Sequence, residues 1–151
     1  MSSYIPIPLL IDIVLRVGQS GFRELGPFIA VGSTLSNIVF SNVDLSEVYL
    51  REFFVVCSMA NPDSLYRPFF LRCLLAENHT AKCLEALRID AQHGPSVQSL
   101  DRLGEVVLHS IYARFAFGIF LCLCGSSEVG IRVLKTFLDR VSDFGEAIVV
   151  A

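Results

Sequence analysis

No cluster of lysine and arginine occurs anywhere in this sequence. Its twelve basic residues are outnumbered by fifteen acidic ones, the formal net charge is −3, and the pI is about 5.5. Nucleic-acid binding depends on cationic side chains that replace phosphate counterions, so no nucleic-acid partner is expected. A polybasic membrane anchor is lacking for the same reason. Long apolar runs are lacking too. The longest, Phe115 to Cys124, is bounded by Arg114 on one side and by Gly125 and Glu128 on the other. A membrane span needs about 20 apolar residues, so this run is expected to be a helix buried on most sides. Leu9 to Val17 is interrupted by Asp12 and Arg16 and preceded by Pro6 and Pro8, which does not read as a secretory signal. An intracellular protein, cytoplasmic or nuclear, is expected. The acceptor pattern Asn78-His79-Thr80 is then expected to carry no glycan.

Catalytic constellations are missing as well. The three histidines, His79, His93 and His109, fall at expected helix ends or loops, and no motif supplies a nucleophile and an orienting partner. No paired carboxylates and no phosphate-cradling glycine motif occur. Asp101, Glu105, Glu128 and Asp139 read as solvated residues near Arg102, Arg132 or Arg140. Asp143-Phe144-Gly145 reads as a helix exit. Cys122 and Cys124, two apart on a helix, point about 200° from each other and do not converge on one ion. The five cysteines (with Cys57, Cys73 and Cys83) are odd in number and read as buried small hydrophobes in a reducing compartment. No enzyme activity, cofactor or metal is expected.

What is present is apolar mass. Hydrophobic residues make up 53% of the 151 positions and charged residues 18%. That suffices for one domain, or a small domain with a few repeats, and suggests a helical stack or a surface left for a partner. Valine and isoleucine recur at three- and four-residue spacing, which predicts an all-α fold. The first helix starts at Pro6 or Pro8, carries Leu9, Leu10, Ile13, Val14 and Val17, and is expected to end at Gly18. Gly26-Pro27 and Gly32 divide Gly21 to Phe40 into short pieces, with Phe22, Leu25, Phe28, Ile29, Leu35 and Ile38 available to cover that helix. A further helix from about Leu45 to Phe54 places Leu45, Val48, Tyr49 and Phe53 on one face. Asn61-Pro62-Asp63-Ser64 is a turn cluster, taken as the segment boundary.

Beyond it, helices are predicted over 65–76, capped by Ser64, and over 80–92. A third is capped by Ser96 and carries Leu100, Leu103 and Val107. Two more are predicted over 111–124 and 128–142, the last with Leu134, Phe137, Leu138 and Val141 inward. Tyr66, Phe69, Leu74, Leu75, Cys83, Leu84 and Leu87 correspond to Tyr112, Phe115, Phe120, Leu121, Gly130, Ile131 and Leu134. The offset is 46 residues, becoming 47, which predicts a repeated helix pair.

Ile5-Pro6, Leu9-Leu10, Ile13-Val14 and Arg16-Val17 resemble, at the right spacing, the opening of an F-box, whose pattern has a Leu-Pro pair, two leucines, an Ile-Leu pair and an Arg-Leu pair. Pro8 stands where that pattern has an acidic residue. The stretches Tyr66 to Cys73 and Tyr112 to Phe120 resemble a plant group of F-box proteins with tetratricopeptide-like repeats, and the likeness extends from Ile5 to Val141. The resemblance implies an F-box-like helical segment (residues 5–54) followed by antiparallel tetratricopeptide-like helix pairs (residues 64–143). It implies docking on a Skp-type adaptor, and through it a cullin, by Pro6, Leu9, Leu10, Ile13, Val14 and Val17. The later helices would hold a target protein.

Overall fold

The computed structural model describes residues 4–139, and every regular element among them is helical. Ten α-helices occur: α1 (Ile7–Ser20), α2 (Gly26–Val31), α3 (Ser33–Val39), α4 (Asn42–Glu47), α5 (Arg51–Val55), α6 (Arg67–Leu75), α7 (His79–His93), α8 (Val97–Val106), α9 (Ile111–Leu123) and α10 (Ser127–Leu138). Short 3₁₀ turns cover Phe22–Leu25 and Cys57–Ala60. The expected all-α class is therefore observed. The chain forms two compact units, residues 1–81 and 82–151, and the division falls inside α7. The Asn61–Ser64 turn lies within the first unit.

In the first unit, α1 begins where proline dictates. Pro6 precedes the first turn, Pro8 occupies it, and the Leu9 and Leu10 amides donate to the Pro6 carbonyl at 3.0 and 3.1 Å. The helix does not end at Gly18, as its composition suggested, but runs on to Ser20. Gly21, at φ 157° and ψ 144°, adopts the stop conformation that a side chain disfavours. Gly18 serves packing instead. It is buried, and a Cβ there would lie 3.0 Å from Val48 Cγ2 and 3.6 Å from Leu25 Cδ1. Its carbonyl accepts from Tyr49 N–H at 2.9 Å. That bond belongs to the second departure, in which the helix expected over Leu45 to Phe54 is two helices. Val48, at ψ 136°, leaves helical geometry. The break turns Tyr49 outward and buries Leu50 completely, so Leu50 rather than Tyr49 joins Leu45, Val48 and Phe53 in the core.

The centre of this unit is aromatic. Phe22 meets Phe53 at 5.2 Å, Phe69 at 5.5 Å and Tyr66 at 5.9 Å, and Phe53 meets Phe70 at 5.4 Å. Such ring pairs contribute about 0.5–1.5 kcal/mol each beyond their burial, and here they tie the first 3₁₀ turn, α5 and α6 together. The guanidiniums of Arg67 and Arg72 lie over Phe70 and Phe40.

One buried amide side chain joins two helix ends in the same unit. The chain leaves α6 through Glu77, at φ 65°, and Asn78 N–H closes the turn on the Cys73 carbonyl. Asn78 Oδ1 then accepts from Ala81 N–H at 3.0 Å, capping α7, while its Nδ2 donates to the Leu45 and Val48 carbonyls, both at 3.0 Å. All three bonds are buried. The capping was not visible in a segment read as a short loop. The Asn78 side-chain nitrogen, the atom to which a glycan would attach, is engaged by its two carbonyl partners, and the residue is 2% exposed.

In the second unit, α8 is held by a capping box. Ser96 Oγ accepts from Ser99 N–H, and Ser99 Oγ accepts from Ser96 N–H at 3.0 Å. Ser110, which composition did not single out, caps α9. Helices α9 and α10 run antiparallel, because higher positions on one meet lower positions on the other. Phe115 packs on Phe137 at 5.0 Å, Gly118 faces Gly130 and Leu134, and Cys122 Sγ lies 3.9 Å from the Ser127 carbonyl. The expected inward stripe of α10 holds at Phe137, while Leu138 is about half exposed and Val141 lies outside the described residues. Glycine permits the close crossing, since a Cβ on Gly130 would lie 2.7 Å from the Gly118 carbonyl oxygen.

Two contrasts test this packing. Gly130→Ala is expected to lower stability by about 2 kcal/mol or more, because backbone blocks the new methyl. Gly104→Ala, in α8 with its Cβ an ordinary 3.6 Å from Phe117, is expected to raise it by about 0.5–1 kcal/mol. Denaturant melts of both variants would decide. Asn78→Ala is expected to cost about 3 kcal/mol, since it orphans two carbonyls and a helix cap. Asn78→Asp keeps an acceptor for Ala81 but sets a carboxylate against two carbonyl oxygens, and should be no more stable than the alanine variant. Full stability of Asn78→Asp would show that the two donated bonds are unimportant.

Candidate docking face

Ile7, Ile11, Val14 and Gly18 are spaced 4, 3 and 4 apart and so share one face of α1. The helix packs by this face on the 3₁₀ turn Phe22–Leu25 and on α3 and α4. Packing covers only its second half. Val14 is wholly buried and Gly18 is buried, whereas Ile7 and Ile11 on the same face are 50% and 37% exposed. Leu9, on the far side, is 50% exposed, and Tyr4 and Ile5 ahead of the helix are exposed as well. From Tyr4 to Ile11 no residue carries a charge. The first charges are Asp12 and Arg16, which pair at 3.0 Å across one helical turn. That exposed pair is worth about 0.3–0.5 kcal/mol and bounds the apolar end without burying it.

The six residues implied by the F-box resemblance are therefore not equivalent. Pro6 and Leu9 are exposed, Leu10, Ile13 and Val17 are half-buried, and Val14 is inside the core. Ile7 and Ile11 were missed, although their 4-3-4 spacing with Val14 and Gly18 was a readable signal. The first half of α1 presents a cluster of large apolar side chains to solvent, which is the chemistry of a protein contact.

The remaining polar groups offer no converging set. His79 and His93 are the first and last residues of α7, and His109 lies between α8 and α9. Among the described residues no three His, Cys, Asp or Glu side chains gather where an ion could be held. All five cysteines are free thiols, but the expectation of uniform burial fails. Cys73 and Cys83 are buried, Cys122 is half-buried, and Cys57 and Cys124 are exposed, because each of the last two lies at or beyond a helix end. Burial pushes the Cys73 and Cys83 thiols up to about 12, which makes them poor nucleophiles. Among the described residues, ion pairs other than Asp12–Arg16 include Arg23–Glu52, Arg88–Glu85 and Lys82–Glu105, and none falls at Arg102 or Arg132. Arg140 and the Asp143-Phe144-Gly145 exit lie outside the described residues. No helix among the described residues is long and apolar enough to cross a membrane. No family model, curated protein or solved structure matches the chain.

One buried acid near α1 has a measurable signature. Asp44, in the first turn of α4, accepts from Ser41 Oγ at 2.9 Å, while its other carboxylate oxygen is buried without a partner. Burial raises its pKa above the ordinary 3.8, and the Ser41 hydrogen bond opposes this only in part. A raised carboxyl means that the folded state holds the proton more tightly than the unfolded chain. Its contribution to stability therefore falls as pH rises from about 4 through the raised value, then levels off. Asp44→Asn is expected to be more favourable relative to the wild type at pH 7 than at pH 3. Chemical denaturation at both values would check this, and an equal difference at both would refute it.

Proposed function

We propose that this protein is a non-catalytic interaction subunit whose first segment docks on a Skp-type adaptor, and through it on a cullin of a ubiquitin ligase. In this reading the helices beyond Tyr66 pair as tetratricopeptide-like repeats and hold a target protein, in the cytoplasm or nucleus. The observation that carries the reading is the exposed, uncharged first half of α1, where Pro6 and Leu9 of the six F-box positions stand exposed beside Ile7 and Ile11. A large apolar cluster in water is costly, at about 1.5–3 kcal/mol for each large side chain that a partner could bury. The antiparallel α9–α10 pair, with its short connection, fits a repeat unit. No reacting group is assigned to this chain, whose contribution would be to bring target and ligase together.

The burial of Val14 and Gly18 favours a second reading, in which α1 is purely internal packing and the chain is a helical scaffold outside any ligase. The two readings separate on the exposed positions. Coexpression with a Skp-type adaptor followed by size exclusion should show coelution of the wild type. The Ile7→Asp, Leu9→Asp double variant should lose binding by tenfold or more while its circular dichroism stays unchanged, because neither side chain is core. Val14→Asp should instead unfold the first unit. A folded wild type that binds no adaptor would support the scaffold.

A further inference from the structure

In the second unit, the buried stripe of α7 ends on an acid. Cys83, Ala86 and Asp90 are spaced 3 and 4 apart and so share one helix face, and all three are buried. Asp90 is 5% exposed, and neither of its carboxylate oxygens has a hydrogen-bond partner among the described residues. The cations of the same helix are turned elsewhere. Arg88, two residues before Asp90 and so about 200° round the helix from it, donates to Glu85 at 2.9 and 3.0 Å and to Gln92 at 3.0 Å. Lys82 lies 3.9 Å from Glu105 of α8.

Little holds the chain that follows. From Ala91 to Gln98 only Gly94 is even half-buried, and the next buried residue is Ser99. Gly94 N–H closes the helix on the Asp90 carbonyl at 2.7 Å, and Pro95 has no N–H to donate. Helix α8 does not depend on this turn, because its own start is closed by the reciprocal bonds of Ser96 and Ser99. A carboxylate kept from water without a partner is among the costliest groups to bury. Unwinding the last turn of α7 returns that group to water and gives up almost no buried apolar surface.

We propose that residues 90–94 form a latch that opens by itself, carrying Asp90 to water while the rest of α7 and the whole of α8 stay folded. The closed latch keeps the helix intact at the expense of the buried charge, and the open one exchanges a single helical turn for hydration of that charge. Segments that change shape on binding come from the low-stability end of a fold. The latch thus gives the second unit two shapes at the junction of α7 and α8. It does so whether or not the chain belongs to a ligase, since no part of α1 takes part.

Amide hydrogen exchange of the full chain at neutral pH, followed by NMR, tests this. Amides of residues 91–94 should exchange roughly tenfold or more faster than those of residues 83–86, by an opening that low denaturant leaves unchanged. Ordinary fraying of a helix end would give the same contrast, so the decision falls to variants. Asp90→Leu removes the buried charge and should slow exchange at residues 91–94 by about thirtyfold. Asp90→Asn, closer in shape to the native side chain, should slow it in the same direction and keeps the test should leucine not fit. Ala91→Asp sets a carboxylate on the exposed side of the same turn, where only helix propensity and the helix-end charge act, and should change exchange by about fivefold or less. Equal exchange at residues 83–86 and 91–94 in the wild type, no slowing in either Asp90 variant, or an effect of Ala91→Asp as large as that of Asp90→Leu would each overturn the proposal.

Discussion

The three hydrogen bonds of the Asn78 side chain fix where the helices of the first unit end and begin. Its nitrogen holds the Leu45 carbonyl in the last turn of α4 and the Val48 carbonyl just past it, and its oxygen starts α7. Once Val48 is held out of helical geometry, Tyr49 N–H is free to reach the Gly18 carbonyl, and Val48 itself presses against the missing side chain of Gly18. The second half of α1 is anchored by that contact, and its first half runs on past the elements that cover it. A buried amide far along the chain thus helps to anchor the covered half of α1. Buried hydrogen bonds suit such a role because a carbonyl or amide left unsatisfied costs more than the bond itself contributes.

Around this polar joint the packing is ordinary hydrophobic chemistry. The Phe22, Phe53, Phe69, Phe70 and Tyr66 cluster fills the first unit, and paired glycines let α9 and α10 approach closely in the second. Both devices favour one arrangement over near alternatives. Rings that meet edge and face lose contact when a helix slides, and a glycine crossing has one place where backbones fit.

Much of this was legible in sequence wherever the signal was local. Pro6 and Pro8 marked the start of α1, Ser96 the start of α8, and Gly125 the end of α9, because capping and chain stiffness act within a few residues. Signals that depend on distant partners were not legible. Gly18 and Gly21 are the same residue type three positions apart, and only the approach of Val48 shows that the first is for packing and the second for stopping. Asn78 looked like a loop residue, and nothing singled out Ser110, until their partners were in place. In the candidate face, periodicity identified the stripe of α1, but its division into buried and exposed halves depends on where α3 and α4 end against it. Cysteine burial was misread for a similar reason, since apolar neighbours in sequence do not bury a residue at a helix end.

The central claim is that α1 is one helix with two duties, inward packing from Val14 onward and partner contact before it. Amide hydrogen exchange, measured on the protein alone and with a Skp-type adaptor, tests this most directly. The account predicts that amides around Val14 to Gly18 are already protected in the free protein, and that those from Leu9 to Ile11 exchange faster and gain protection only in the complex. Equal protection along the whole of α1 in the free protein, unchanged by adaptor, would contradict it.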